Sequence, residues 1–235
     1  MRIMDMIARY AASKSWTLRP NIVLVEGTSD EALFRRADEL SRLAGQVLLG
    51  DNISIVAAGR GDQGGTFGVA RELIALRSYA PLVLDKRGFL AYRIVALVDN
   101  DHAGRQIIQD VTRLDRSAVE FQDIVALRPV IPKFIKTDPL SRQHECNLAN
   151  LPYGMMDWEI EDTLSPKLIA KFEKANPDII VERTVNRDKI HYNLEDSAKA
   201  VLHLFVQREA ALEDLSGVVE IVHMLRAILG LPSCT

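Results

Sequence analysis

Ile22-Val23-Leu24-Val25-Glu26-Gly27-Thr28-Ser29-Asp30-Glu31 is the stretch on which the fold turns. Four consecutive apolar residues, three of them β-branched, predict a strand buried on both faces, as in a parallel sheet covered by helices on each side. The strand ends in Glu26-Gly27. A helix follows, with Thr28 and Glu31 spaced as a capping box and Leu33, Phe34, Ala37, Leu40 and Leu43 as its apolar stripe.

The same unit recurs downstream. Ile53 to Ala58 reads as a second strand, followed by a glycine-rich turn over residues 59–65 and a helix from about Thr66 to Tyr79. Ile94-Val95-Ala96-Leu97-Val98 reads as a third strand, ending in Asp99-Asn100-Asp101 before a helix from about His102 to Leu114. A fourth strand lies near Asp123–Leu127. Strand and helix alternating in this way predict an α/β fold with a Rossmann-like central parallel sheet flanked by helices. Upstream, residues 1–20 read as a short helix. Downstream, residues 129–155 hold four of the nine prolines and little periodicity, which predicts an irregular insertion. Residues 156–235 read as a mainly helical C-terminal region: a helix at 157–164, one opened by Ser165-Pro166, an extended Ile179-Ile180-Val181, and two closing helices at about 194–209 and 211–229.

Ligands of an open parallel sheet bind at the carboxyl ends of its strands. Glu26 follows the first strand, and Asp99 and Asp101 follow the third. If those strands are neighbours, three carboxylates converge, and their repulsion calls for a cation between them. All-oxygen ligands suit Mg²⁺ or Mn²⁺ and phosphoryl chemistry. Each acid also has a purely structural use. Glu26 and Asp30 favour the positive end of the following helix, and Asp101 is placed to cap the helix at His102. Two other motifs compete for the same segments. Gly59-Arg60-Gly61-Asp62-Gln63-Gly64 fits a dinucleotide fingerprint, but leaves the three acids without a role. Asp99-x-Asp101 fits a phosphatase motif, except that the expected threonine is Ala103.

Glu26-Gly27-Thr28-Ser29-Asp30, one further strand-helix unit, then Val98-Asp99-Asn100-Asp101-His102-Ala103-Gly104-Arg105 resembles the TOPRIM domain over about residues 21–128. Trp158-Glu159-Ile160-Glu161-Asp162-Thr163-Leu164 is similar to an acidic segment of OLD-family nucleases and of the TOPRIM effector of PARIS-type anti-phage systems. The resemblance implies a nuclease acting on DNA or RNA, tRNA among them, with one or two Mg²⁺ or Mn²⁺ ions. Glu26, Asp99 and Asp101 would be catalytic and metal-binding, Asp30 a further ligand, and Glu161 support for a second ion, with Glu159 and Asp162 as alternates. Lys189 or Lys199 would stabilise developing charge, while Arg105, Lys133, Lys136 and Arg142 would touch the nucleic-acid backbone. It also implies a separate ABC-type ATPase partner, with a homodimer as another use of the terminal apolar faces. The alternative is a non-catalytic TOPRIM module that binds nucleic acid or a protein.

Composition leaves these readings open. The chain has 235 residues, 48% hydrophobic and 26% charged, with net charge −3, and so lacks the strongly basic balance of many duplex binders. No apolar run reaches the roughly 18 residues of a membrane span. An acid at Asp5 and the absence of a long apolar leader lead us to expect a cytoplasmic protein. Cys146 and Cys234 have no metal-ligand spacing.

Overall fold

A computed structural model of the chain describes residues 5–59, 65–134, 138–177 and 179–234. The competing dinucleotide motif over residues 59–64 and the candidate contact Lys136 fall largely or wholly outside them. Helix α1 (Met6–Ser13) precedes strand β1 (Asn21–Val25), helix α2 (Thr28–Leu43), strand β2 (Ile53–Ala57) and helix α3 (Gly65–Tyr79). Strand β3 (Arg93–Val98), helix α4 (His102–Leu114) and strand β4 (Ile124–Ala126) complete the core. The four strands form one parallel sheet in the order β2-β1-β3-β4, with Asn21 opposite both Ile53 and Arg93, and Ala96 opposite Ile124. β1 and β3 are therefore neighbours, so Glu26 and Asp99 leave the same edge one strand apart.

The alternation of strand side chains divides the interior into two cores. Val23, Val25, Val95 and Leu97 face α2 and the C-terminal helices. Ile22, Leu24, Ile94, Ala96 and Val98 face α1, α3 and α4. Both faces of the sheet are covered, which is why the strands read as unbroken apolar runs rather than alternating ones.

Beyond β4 the chain differs from the sequence reading in three places. The segment read as irregular contains helix α5 (Pro139–Asn150), capped by Asp138, whose side chain accepts from Ser141 N, with Pro139 at its first position. Proline there presets the helical φ and lacks only a donor that would go unused, so it starts this helix rather than breaking one. The helix expected at 157–164 is only a 3-10 turn, Ile160–Thr163, entered from extended backbone at Glu159. The extended stretch near Ile180 is the first strand of an antiparallel hairpin, β5 (Ile180–Asn186) with β6 (Lys189–Leu194). Helices α6 (Pro166–Ala175), α7 (Asp196–Glu209) and α8 (Ser216–Ile228) complete the chain. Phe172, Leu202, Val206, Leu225 and Ile228 join the same apolar cluster as the sheet residues, so the apolar faces of the terminal helices close this chain's own core. Both cysteines are free thiols. No helix of the described residues is long and apolar enough to cross a membrane.

Candidate metal centre

The site grows from the ends of β1 and β3. Past Val25 the chain turns through Gly27, which precedes α2. The Asp30 carboxylate accepts from Gly27 N at 2.9 Å. The reciprocal partner at the start of this helix is thus Asp30, not Glu31, because the helix begins at Thr28 itself. Asp99 N donates to Glu26 Oε1 at 3.3 Å, which fixes the Glu26 carboxylate against the tip of β3. A cavity of about 10 Å³, room for one water-sized sphere, lies among Glu26, Asp30, Asp99 and Ile160.

The acidic segment is tied across this edge by the residue between the two aspartates. Asn100 N donates to Trp158 O at 2.8 Å, and its side-chain Nδ2 donates to Met156 O at 3.0 Å. Arg128 Nη1 donates to Asn100 Oδ1 at 2.9 Å, so buried Asn100 uses every group it has. Ile160 N then donates to Asp99 Oδ1 at 3.1 Å. These bonds deliver Glu159 and Glu161 to the end of β3. One carboxylate oxygen from each of Asp99, Glu159 and Glu161 lies within 4.8 Å of the others.

Two glycines permit the approach. A Cβ on Gly104 would collide with the Asp99 carbonyl oxygen, and one on Gly217 would collide with that of Thr163. The first lets α4 sit directly under the tip of β3. The second lets α8 sit against the 3-10 turn that carries Glu161.

The electrostatics are those of crowded, desolvated acids. Burial pushes the Glu26 carboxyl up to about 7, opposed by the Asp99 N–H and reinforced by the charges of Asp30 and Asp101. Burial also pushes Glu161 up to about 7, with the field of Lys199 opposing it and that of Asp30 adding to it. Asp99 is raised well above the usual range, first by burial and then by the charges of Glu161, Glu26 and Asp30. Lys199, on α7, donates to Glu159 Oε2 at 2.8 Å, and the surrounding carboxylates hold its ammonium charged against the cost of its burial. One ammonium does not balance the set. Glu161 is 5% exposed, and its Oε2 is buried without a hydrogen-bond partner among the described residues.

Several expected site residues have other employment. Asp101 caps α4, accepting from Gly104 N at 2.6 Å, and stands outside the close cluster of Asp99, Glu159 and Glu161. Asp162 accepts from Glu159 N and Tyr192 N and pairs with His191 Nδ1 at 2.8 Å, which anchors β6 to the turn rather than facing the cluster. Arg105 donates to Asn100 O and pairs with Asp157 at 2.9 Å. Lys189 lies 5.8 Å over the Trp158 ring. Lys133 is exposed at a groove beside His223 and Met224, and His102 is exposed. Arg142 is 6% exposed and donates to Phe121 O and Ala227 O. Sequence reasoning missed Asn100 as the clasp and ranked Glu159 behind Glu161. The available signal was an asparagine inside an Asp-x-Asp turn, where a buried amide must find partners.

No protein-family model, curated protein or solved structure matches this chain.

Proposed function

We propose that the carboxyl edge of β1 and β3 is a divalent-metal centre of TOPRIM type and that the protein is a metal-dependent nuclease. The observation that carries the reading is the buried, unpartnered Glu161 Oε2 beside Asp99 and Glu159, supplied by segments 60 residues apart in sequence and clasped by Asn100. Two oxygens on one Mg²⁺ ion, each bound at about 2.1 Å, stand at most about 4.2 Å apart, so a set already within 4.8 Å needs only slight contraction. The donor set is all carboxylate oxygen, which suits Mg²⁺ or Mn²⁺ rather than a softer ion.

Asp99, Glu159 and Glu161 would hold one ion, with Glu26 and Asp30 lining the adjacent small cavity as ligands of a second or as base. An ion bound there would supply the polarisation of a phosphodiester and the lowered pKa of an attacking water. With its carboxyl near 7, Glu26 is poised to accept a proton from that water at neutral pH. Lys199 is placed to meet negative charge developing on the phosphate, and its hydrogen bond to Glu159 orients it for that role. Asp101 supports the centre by fixing the start of α4 instead of by ligation.

The test is incubation with plasmid, single-stranded DNA and total tRNA, each with Mg²⁺, Mn²⁺ or EDTA. Metal-dependent cleavage is expected, falling by about two orders of magnitude or more in Glu26→Ala and Asp99→Asn. Unchanged cutting by both variants would refute the assignment. One observation favours a second reading: Lys199 already places a cation against Glu159. On that reading the acids and Lys199 form a self-balanced cluster in a non-catalytic TOPRIM module that binds nucleic acid or a partner. The wild type would then cut nothing under any condition, alone or with an ATPase partner. An ABC-type ATPase as partner, a homodimer and a role in anti-phage defence rest on the resemblance alone.

A further inference from the structure

A groove of about 880 Å³ lies at the opposite end of the sheet, where β3 and β4 begin. It is lined by four arginines, Arg77, Arg93, Arg116 and Arg142, and by two aspartates, Asp115 and Asp123. Arg77 engages both aspartates, donating from Nε to Asp115 at 2.9 Å and from Nη1 to Asp123, and among the described residues neither carboxylate pairs with the other three arginines. Arg142 is the most unusual of these. It is 6% exposed, its two terminal nitrogens donate to the carbonyls of Phe121 and Ala227, and its Nε is buried with no partner among the described residues. It forms no ion pair among the described residues, although the field of the exposed Asp138 at the start of α5 acts on it.

A buried guanidinium satisfied only by neutral carbonyls retains most of its desolvation cost, which an anion would offset. Two further cations reach the same groove from its rim. Arg93, the first residue of β3, uses Nη1 on Leu229 O and keeps its other donors. Arg116 is exposed and has no hydrogen bond or ion pair among the described residues. Between these charges the wall is apolar and aromatic, with Leu90, Tyr92 and Leu114. Guanidinium groups match the planar geometry of carboxylate and phosphate oxygens, and a pocket of this size takes a small molecule rather than a polymer.

We propose that this groove is a second ligand site, specific for a small organic oxyanion with a carboxylate or phosphate head and an apolar or aromatic body. Arg93 and Arg116 grip the head, Arg142 supplies the buried positive field behind them, and Tyr92 and the leucines cover the body. The site is separate from the acidic centre and stands whether or not that centre cleaves anything.

Because removal of Arg142 can unfold the protein, the test uses the rim pair. Wild type and the double variant Arg93→Ala/Arg116→Ala are titrated in EDTA with phenyl phosphate, benzoate and benzyl alcohol, three probes that share a ring and differ in head. Binding is followed by backbone amide shifts. One or both charged probes are expected to bind the wild type, more weakly as salt is raised, and about tenfold more weakly to the variant. The better of the two identifies the head group. The proposal is overturned if neither charged probe binds, if benzyl alcohol binds as tightly as they do, or if the double variant, shown folded by its amide spectrum, binds as well as wild type.

Discussion

Replacing Glu161 by glutamine is expected to stabilise the protein at alkaline pH and to leave its stability unchanged at acidic pH. Glutamine keeps the shape of the protonated side chain and removes only the charge. In the folded chain the Glu161 carboxyl sits at about 7, against 4.5 when exposed, because burial outweighs the field of Lys199. The sign follows from proton counting. Below 4.5 the group is protonated in both states and costs nothing. Between 4.5 and about 7 the folded chain holds a proton that the unfolded chain has released, so stability falls as pH rises. Above that window the penalty is complete. At about 1.4 kcal/mol per pH unit, the interval from 4.5 to about 7 gives roughly 3 kcal/mol. For a chain of this size, that is a rise in Tm of about 6–12 °C at about pH 8, and none at about pH 4. Thermal melts followed by circular dichroism, with EDTA present throughout, give both values. A variant no more stable than wild type at the higher pH, or one shifted equally at both, would show that Glu161 is not a buried, uncompensated acid.

Other outcomes follow from packing and from the clasp. Gly104→Ala, whose added Cβ would strike the backbone carbonyl of Asp99, is expected to displace the tip of β3 and weaken Mn²⁺ binding by about tenfold or more, as read by titration calorimetry; unchanged affinity would mean that α4 does not set the position of Asp99. Glu72 is fully buried and accepts from Tyr10 Oη at 2.5 Å, Lys14 Nζ at 3.0 Å and Arg71 Nη2 at 2.9 Å, so Glu72→Ala is expected to cost about 3–5 kcal/mol in urea unfolding. A loss under about 1 kcal/mol would show that α1 is not held to α3 by this carboxylate. Phe172→Ala, which truncates a fully buried ring on α6, is expected to lower stability by about 3–5 kcal/mol in a single transition, because the ring shares a core with the sheet. Two separated transitions would mean that the C-terminal helices unfold on their own.

The order of strands and helices through β4 was legible in the sequence because each strand is buried on both faces and shows an unbroken apolar run. Later elements were less so. The turn at Ile160–Thr163 has the composition of a helix, yet Asn100 holds the backbone of Met156 just before it, Asp99 accepts from Ile160 N, and Asp162 is spent on His191 and Tyr192. β5 is exposed along most of its length, so it has no apolar pattern to read.

Local pattern alone therefore settled that Glu26, Asp99 and Asp101 stand at strand ends, since periodicity and turn chemistry act over a few residues. Tertiary structure decided which acids meet. Strand order made β1 and β3 neighbours, the clasp of Asn100 brought in Glu159 and Glu161, α7 added Lys199, and Asp101 was left capping a helix. Arg142 and Lys199 have the same charge on paper. Burial beside carbonyls at one end of the sheet, and beside carboxylates at the other, is what separates them, because desolvation and field depend on neighbours distant in the chain.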